Sequence, residues 1–251
     1  MSDTAVLLSA GLDSAVLAAA EARTQRIHPI YVSTGLAWED RELAALERLL
    51  SAPPLAGRIE PLVRLSFTVH DLYPASHWAL RGTPPAFDTP DEDVYLTGRN
   101  IALLSKSAIY AAQHGVARIV LGPLAGNPFP DATRAFFDAM ARALSLGLDH
   151  PISIDTPFAS LHKSDVIRLG VELGVPLELT LSCMAPRLRP SGRDATRPQA
   201  ALAGRSADAD RPGGQASVEH CGECSKCRER RDAFAEAGVP DPTRYATAPL
   251  R

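Results

Sequence analysis

Three of the chain's four cysteines stand within seven residues of one another. They are Cys221, Cys224 and Cys227 in the spacing C-x-x-C-x-x-C, and the fourth, Cys183, precedes them by 37 intervening residues. Four thiolates complete a tetrahedral zinc site, and this spacing suits a metal better than two disulfides. We therefore predict a structural Zn²⁺ on these four residues, with an iron–sulfur cluster as the alternative. Because the metal would use every thiol, no cysteine remains for a persulfide, which argues against a sulfurtransferase.

The loop that follows the first apolar segment has the residue types of a phosphate-binding turn. Its residues are Ser9, Ala10, Gly11, Leu12, Asp13 and Ser14. A glycine-bearing turn that opens into a helix directs backbone N–H groups and the positive end of the helix dipole at an anion. We expect the two serine hydroxyls to donate, Asp13 to hold Mg²⁺ or cap the helix, and Gly11 to allow close approach or a positive φ. The alternative is an ordinary N-cap turn, since Ser, Gly and Asp are common in turns.

Strand and helix patterns alternate along the chain and supply the framework for both candidate sites. Short apolar runs bounded by Gly or Pro predict strands at 5–8, 27–32, 61–65, 118–122 and 151–154. Helical periodicity predicts helices at 14–21, 41–50, 100–113, 133–146, 163–173 and 229–237. This alternation is typical of an α/β fold with a parallel sheet covered by helices, which binds ligands beyond the carboxyl ends of its strands.

The composition describes an ordinary soluble globular protein of 251 residues, 45% hydrophobic and 22% charged. It excludes collagenous, coiled-coil and wholly disordered chains. The net charge of −3 provides no overall basic field, so we expect neither nucleic acid nor an anionic membrane as a partner. No apolar run approaches the ~18 residues of a membrane span, and the start lacks the positive charge of a signal peptide. We therefore expect a cytoplasmic protein.

A change of composition at residues 186–217 predicts a mobile surface insertion. Arg, Pro, Gly, Asp and Ala dominate it, and its large apolar residues are Leu188 and Leu202. Its arginines raise the alternative of a nucleic-acid-binding arm, which the aspartates and the lack of aromatic residues disfavour. These arginines include Arg189, Arg193, Arg197, Arg205 and Arg211. We predict an α/β domain at 1–182 and a zinc-binding C-terminal segment at 183–251 that includes the insertion.

The Ser9–Ser14 loop resembles the Ser-Gly-Gly-x-Asp-Ser pyrophosphate loop of the N-type ATP pyrophosphatases, the PP-loop superfamily, with Ala10 in place of the first glycine. Together with further stretches it resembles the 7-cyano-7-deazaguanine synthase (QueC-type) family. These stretches follow the family's order along nearly the whole chain, at 98–100, 130–131, 156–163, 173–183, 221–228 and 241–245. The cysteine cluster alone is specific by itself, whereas the others are specific as an ordered set.

The resemblance implies a Rossmann-like adenine nucleotide alpha hydrolase fold and an ATP-dependent carbon–nitrogen ligase of queuosine biosynthesis. Such an enzyme converts 7-carboxy-7-deazaguanine to 7-cyano-7-deazaguanine (preQ0). It adenylates the carboxylate, captures the acyl-adenylate with ammonia, and then activates and dehydrates the amide, with AMP and pyrophosphate as the products of ATP. The resemblance also implies Mg²⁺ with ATP, Zn²⁺ on the cysteines, free ammonia as the nitrogen source, and a homodimer.

On this resemblance we assign catalytic roles to Asp13, Lys163 and Arg99. Lys163 opens a predicted helix after a strand, which places its ammonium near the strand ends to steady the α-phosphate. The alternative for Lys163 is a solvated surface lysine. Arg99 would grip the nucleotide or an anionic substrate, and Asn100 is expected to cap the following helix. Asp131 would share the Mg²⁺ with Asp13 or serve only to form a turn.

The departures from the family pattern fall where substrate choice is expected. Ala132-Thr133-Arg134 stands where the family has Cys-Arg, Met184 stands in place of an aromatic residue, and 35–40 lacks a glutamine-rich helix start. Two alternatives therefore stay open. One is a related ATP pyrophosphatase that adenylates a different carboxylate, such as a modified base or a protein C-terminus, in a defence or tailoring pathway. The other is a non-catalytic nucleotide-binding module.

Other aromatic and histidine residues carry weaker expectations. We expect Trp38 and Trp78 to pack in the core rather than on a purine, as is usual for tryptophan. His162 is adjacent to Lys163 and is expected to line the active site. His220, next to the cysteine cluster, is expected at the surface rather than as a further metal ligand.

Overall fold

The structure, a computed structural model, describes residues 2–189 and 217–247. Its centre is a five-stranded sheet with strand order β3-β2-β1-β4-β5, in which every neighbouring pair is parallel. The strands are β1 (Asp3–Leu7), β2 (Arg26–Ser33), β3 (Val63–Ser66), β4 (Arg118–Val120) and β5 (Ser153–Asp155). The α/β fold with a helix-covered parallel sheet that the sequence predicts is confirmed.

Helices cover both faces of the sheet. They are α1 (Leu12–Glu21), α2 (Glu39–Leu50), α3 (Trp78–Arg81), α4 (Arg99–Gln113), α5 (Arg134–Leu148), α6 (Lys163–Glu172) and α7 (Ser225–Ala237). Buried side chains of α1, α2, α6 and α7 share one core cluster, and those of α4 and α5 share the other. Neighbouring strand residues such as Val6 and Ala5 point into opposite clusters, as the alternation of side chains along a strand requires.

The chain reverses its direction of travel across the sheet between β1 and β4. From β1 it passes outward through β2 and β3, and it then returns to pair β4 with the free side of β1. The loops that leave β1 and β4 therefore diverge, which opens a crevice at their carboxyl ends. The Ser9–Ser14 loop leaves β1 at this position, as the sequence leads us to expect.

The observed elements overlap every predicted strand and helix, and the differences lie at their ends. The largest is at α7, which begins at Ser225 rather than at residue 229. The four-residue helix α3 and the 3₁₀ turns Asp91–Val94, Pro130–Ala132 and Leu177–Leu179 were not predicted, because such short elements have no measurable periodicity.

A short strand pair lies at the two ends of the predicted insertion at 186–217. There β6 (Arg187–Arg189) pairs antiparallel with β7 (Ser217–Glu219), and the mobility of the insertion stays a prediction. Backbone hydrogen bonds form this hairpin, and they do not require the large apolar side chains that the segment lacks. The prediction for 190–216, with four of the named arginines, lies outside the described residues.

A membrane-spanning helix is absent from the described ranges, where no helix combines the necessary length and apolar character.

Close packing of α6 on α1 predicts the effect of one glycine substitution. A Cβ at Gly170 would lie 2.9 Å from Cγ2 of Val16 and 3.1 Å from Cδ2 of Leu177. We expect Gly170→Ala to lower the free energy of unfolding by about 1–3 kcal/mol, because overpacking outweighs the better helix propensity of alanine. The matched control is Gly147→Ala in α5, where a Cβ meets nothing within 4 Å. It should keep or raise stability by up to about 1 kcal/mol in urea denaturation. Equal effects of both changes would contradict this packing.

Candidate active site and metal site

A cavity of about 460 Å³ lies at the carboxyl ends of the strands. The Ser9–Ser14 loop forms one wall, and residues 121–129 after β4 form another. Asp13, Lys163 and Arg99, which come from α1, α6 and α4, all line it. The cavity thus brings together the three residues to which the sequence analysis gave catalytic roles.

The N-terminus of α1 faces this cavity with unused backbone donors. The first intrahelical bond runs from the N–H of Ala15 to the carbonyl oxygen of Gly11 at 3.0 Å, so the N–H groups of residues 12–14 precede the helical ladder. The hydroxyl oxygen of Ser14 lies 3.0 Å from the carbonyl oxygens of both Ser9 and Gly11. The serine hydroxyls therefore shape the loop, and its backbone amides and helix dipole are what it offers to an anion.

The backbone of the Ser9–Ser14 loop shows the conformation that Gly11 and Ala10 adopt. Gly11 has φ −61°, so it does not use a positive φ, and a Cβ there would lie 3.0 Å from Oγ of Ser9. Close approach is therefore the reason for glycine at this position. Ala10 is fully buried, and its carbonyl oxygen accepts a 2.7 Å hydrogen bond from the N–H of Leu181. Asp149 is the only residue other than glycine with a positive φ among the described residues, so Ala10 does not adopt one. Alanine replaces the family's glycine without strain.

Lys163 is held between two carboxylates at the wall of the cavity. Its Nζ lies 3.4 Å from Oδ2 of Asp13 and forms a closer ion pair with Glu229 on α7. Its side chain is 16% exposed, so the alternative of a solvated surface lysine is wrong. Burial alone would lower the pKa of Lys163, but the carboxylates of Asp13 and Glu229 outweigh burial and raise it. Lys163 is therefore a permanently charged group beside the loop.

Two buried polar atoms of the cavity residues have no hydrogen-bond partner within the described part of the chain. They are Oδ1 of Asp13 and Nε of Arg99. Leaving such groups unpaired is costly, which points to a ligand that completes them. A free carboxylate oxygen suits Mg²⁺, and a free guanidinium N–H suits an anion. The residues present therefore fit a magnesium–phosphate ligand. Asp13 does not cap α1; its carboxylate is directed to Lys163 from the first turn.

Asn100 holds Asp131 instead of capping a helix. The backbone N–H of Asn100 donates to Oδ2 of Asp131 at 3.0 Å, and its side-chain amide donates to the carbonyl oxygen of Asp131 at 2.9 Å. Gly98 is the N-cap residue of α4, so the expected capping role of Asn100 is wrong. Asp131 is buried and lines the cavity, and burial raises its pKa. A shared Mg²⁺ stays a prediction.

The expected core packing of the two tryptophans is confirmed, whereas His162 differs from expectation. Trp38 and Trp78 stack on each other with ring centroids 5.8 Å apart, and both line the cavity as well as packing with the core. His162 is exposed at the N-cap of α6 and does not line the cavity, so the expectation for it is wrong. The reason is helix geometry: Lys163 points inward, whereas the residue before it closes the helix end.

Sequence analysis missed four charged residues of the cavity, Glu42, Asp91, Lys226 and Glu229. Glu42 is buried and accepts a 3.0 Å hydrogen bond from the hydroxyl of Tyr31. Glu229 and Lys226 lie in the first turns of α7, and the predicted start of this helix, residue 229, is four residues after the observed one. The available signal was the rarity of lysine, since Lys226 is one of only three in the chain.

The four cysteines converge into one buried cluster. Their Sγ atoms all lie within 4.8 Å of one another, with separations of 4.0 Å for Cys183–Cys224, 3.8 Å for Cys221–Cys227 and 3.5 Å for Cys224–Cys227. Tetrahedral Zn–S bonds of about 2.3 Å place sulfurs about 3.8 Å apart, so the geometry fits zinc. Backbone N–H groups of Ala185 and Cys221 donate to Sγ of Cys183 at 3.3 and 3.2 Å.

His220 is buried beside this cluster, and its expected surface position is wrong. It is 4% exposed, and its Nε2 accepts a 3.0 Å hydrogen bond from the N–H of Ser182. Burial lowers the pKa of His220 to about 3, so the ring is neutral and can accept. Its contact with Tyr245 and its bond to the chain next to Cys183 explain why it is inside. It supports the cysteine-bearing backbone.

Comparison with known proteins places this chain in a family. The family model described as "Queuosine biosynthesis protein QueC" matches residues 3–238. The chain belongs to the QueC family. The resemblance found in the sequence is therefore confirmed, and the Ser9–Ser14 loop and the cysteines lie within the matched residues.

Relatives of this QueC-family chain match it over nearly their full length. The 7-cyano-7-deazaguanine synthase of Methanopyrus kandleri is 30% identical, covering 98% of this chain and 99% of the relative. Its namesake from Anaeromyxobacter dehalogenans is 35% identical, over 96% and 94%. A third, from Methanothrix thermoacetophila, is 32% identical, over 95% and 96%. A solved 4-thiouridine synthetase–RNA complex with bound ATP superimposes loosely, with a TM-score of 0.41 and 15% identity over 73% of this chain and 45% of that chain, and supports no functional conclusion.

The ion pairs of Lys163 predict a measurable coupling. We expect Lys163→Met to lower the free energy of unfolding by about 2–4 kcal/mol, because it leaves the carboxylates of Asp13 and Glu229 without their counter-charge. Adding Glu229→Gln should recover part of that loss. The control is Arg64→Met, which removes an exposed ion pair to Glu47 and should cost at most about 1 kcal/mol. Strict additivity of the two changes in urea denaturation would contradict the pairing.

The cysteine geometry predicts a tetrathiolate spectrum. Metal-free protein titrated with Co²⁺ should bind one ion per chain and develop the visible bands of tetrahedral cobalt with thiolate charge transfer, which Zn²⁺ then abolishes. We expect Cys224→Ser to weaken binding and reduce the charge-transfer intensity. His220→Asn serves as the control and should keep the bands, because the histidine is not a ligand. Octahedral cobalt bands in the unaltered protein would contradict this site.

Proposed function

We propose that this chain is a 7-cyano-7-deazaguanine synthase that converts 7-carboxy-7-deazaguanine to preQ0 with ATP and ammonia. The observation that carries the proposal is the cavity, where the free amides of α1, the unpaired Oδ1 of Asp13, Lys163 and the unpaired Nε of Arg99 meet. That set of groups suits a nucleoside triphosphate with bound Mg²⁺. The names of the full-length relatives supply the acceptor acid.

In this proposal the Ser9–Ser14 loop binds the β- and γ-phosphates through its backbone amides and the dipole of α1. Mg²⁺ bound at Asp13 would neutralise phosphate charge. Lys163 lies beside Asp13 and would take the charge that grows on the α-phosphate oxygens. Arg99 would orient either that phosphate or the acceptor carboxylate with its free N–H. Each role needs positioning and charge rather than a covalent intermediate on the protein, so the lack of a free cysteine is no obstacle.

The proposed reaction has four steps: adenylation of the acid, amide formation, adenylation of the amide and elimination to the nitrile. A carboxylate oxygen of the acid attacks the α-phosphorus, the bond to the bridging oxygen breaks, and pyrophosphate leaves. Ammonia attacks the acyl carbon, the bond to AMP breaks, and one proton is released to give the amide. The amide oxygen attacks a second ATP in the same way. Loss of AMP together with both remaining protons of the nitrogen then forms the nitrile.

The same proposal covers the rest of the chain. Zn²⁺ on Cys183, Cys221, Cys224 and Cys227 clips the C-terminal segment, 183–251, to the ATP-binding domain, 1–182. The ligase is a homodimer, uses free ammonia and acts on a small molecule in the cytoplasm. The interlocking of α7 with α6 at Lys163 and Glu229 supports a structural role for the metal segment.

A second candidate keeps the ATP chemistry and changes the acid. Met184 is buried and lines the cavity at a position where the family has an aromatic residue. A missing stacking ring favours a different acceptor carboxylate. Thr133, another departure, is the N-cap of α5 and accepts from the N–H of Phe136 at 3.2 Å, so it serves the fold. Of these two departures, Met184 is the one that lines the cavity and bears on the acceptor.

The decisive experiment incubates the purified protein with ATP, Mg²⁺, ammonium and 7-carboxy-7-deazaguanine. We expect preQ0 by mass spectrometry, with AMP and pyrophosphate from each ATP. Asp13→Asn and Lys163→Ala should each slow turnover roughly a hundredfold or more, since each removes several kcal/mol of charge stabilisation. The control, Asp138→Asn on the exposed face of α5, should behave like the unaltered protein. AMP formation only with another acid would favour the second candidate, and ATP binding without turnover of any acid would refute the ligase.

A further inference from the structure

The cavity contains a second lysine for which the proposed function has no role. Lys226 lies near the start of α7, lines the cavity, and has a side chain that is 25% exposed. The chain has only three lysines among 26 basic residues, and two of them stand at this one cavity. Lysine presents a compact, strongly charged ammonium with rotatable donors, which suits phosphate oxygens.

Lys226 and Lys163 share one carboxylate. Nζ of Lys226 lies 2.7 Å from Oε2 of Glu229, whose other oxygen pairs with Lys163. The charges therefore alternate from the phosphate loop outward, from Asp13 through Lys163, Glu229 and Lys226 to Asp91. An anion that reaches Lys163 has the second ammonium one carboxylate away. Glu229 therefore links the two ammonium groups beside the loop.

The outer partner of Lys226 is a weak competitor for its charge. Oδ1 of Asp91 lies 3.2 Å from Nζ of Lys226, and the Asp91 side chain is 43% exposed. Exposed pairs of this kind contribute little, so a phosphate can displace the carboxylate. The segment that carries Asp91 has an independent tether, because Arg228 donates to the carbonyl oxygen of Thr89 at 3.3 Å. Holding that segment does not require Lys226.

The backbone at Lys226 is fixed by the cysteine cluster. Cys224 is the N-cap of α7, and Cys227 follows Lys226 directly. The convergence of these thiols with Cys183 and Cys221 sets where the first turn of α7 lies. The side chain of Lys226 therefore starts from a rigid position at the cavity wall.

We propose that Lys226 is a second phosphate-binding cation of the cavity. Asp91 holds the Lys226 ammonium in place until a phosphate of the nucleotide displaces the Asp91 carboxylate. This inference rests on the proposed function insofar as the anion is the phosphate chain of ATP. It assigns ATP two lysines, one on α6 and one on α7. The part of the chain that contains the cysteines thereby contacts the nucleotide directly.

The test compares ATP binding by calorimetry, with Mg²⁺ and no acceptor acid, in the zinc-loaded protein and its variants. We expect Lys226→Met to weaken binding about tenfold to a hundredfold, as removal of a charged hydrogen bond does. Lys226→Arg should restore most of the affinity. Asp91→Asn should leave the affinity unchanged or increase it, because it frees the lysine. Lys106→Met on α4, away from the cavity, is the matched control and should bind like the unaltered protein. Zinc content should match in all variants.

Two outcomes overturn the inference. One is unchanged ATP affinity in Lys226→Met, including the case in which only KM for the acceptor acid rises, since the lysine would then serve the acid. The other is an equal loss in Asp91→Asn, which would make Lys226 a structural tether. Failure of the proposed function looks different: the protein would fail to convert 7-carboxy-7-deazaguanine, while Lys226-dependent ATP binding would persist.

Discussion

The ammonium group of Lys163 joins the two parts of the molecule on which the site depends. It contacts Asp13 at the start of α1 and Glu229 on α7, two residues that lie 216 positions apart in the numbering of the chain. Burial alone would raise the pKa of Glu229, but the ammonium groups of Lys163 and Lys226 outweigh burial and lower it to about 2. Moving one member of this network alone would therefore leave its partner without a counter-charge in a partly buried place.

The C-terminal segment that carries the cysteines shares the apolar core of the sheet instead of forming a separate domain. Buried residues of α7 and the four cysteines belong to the same apolar cluster as α1 and α6. Arg230, 1% exposed, strengthens this union, since its guanidinium donates to Ser182, Thr243 and the carbonyl oxygen of Leu177. One buried arginine thus ties the chain before Cys183 to α7 and to Thr243 in the segment that follows α7. The position of α7 follows from sulfur, guanidinium and carboxylate contacts acting together.

The sequence alone predicts the sheet and the turn at 9–14 because the signals for both are local. Apolar runs such as 27–32 and the turn at Gly11 carry their own signals. The pairing of Lys163 with Glu229 was not predictable, because no local pattern says that the first turn of α7 reaches α6. Its polar start, Ser225-Lys226, hides the helix from hydrophobic periodicity. His220 likewise seemed a surface residue by type, and its burial follows from a partner 38 positions earlier.

The hairpin of β6 and β7 brings Arg189 and Ser217 side by side, next to the cysteine cluster at one end. Closing a connection between two fixed neighbours costs little more when the connection is longer. The number of residues between the two strands can therefore change during evolution, or by insertion of a tag, while Cys183 and Cys221 keep their separation. This hairpin makes 190–216 the natural place for a lineage, or a protein engineer, to add sequence to the enzyme.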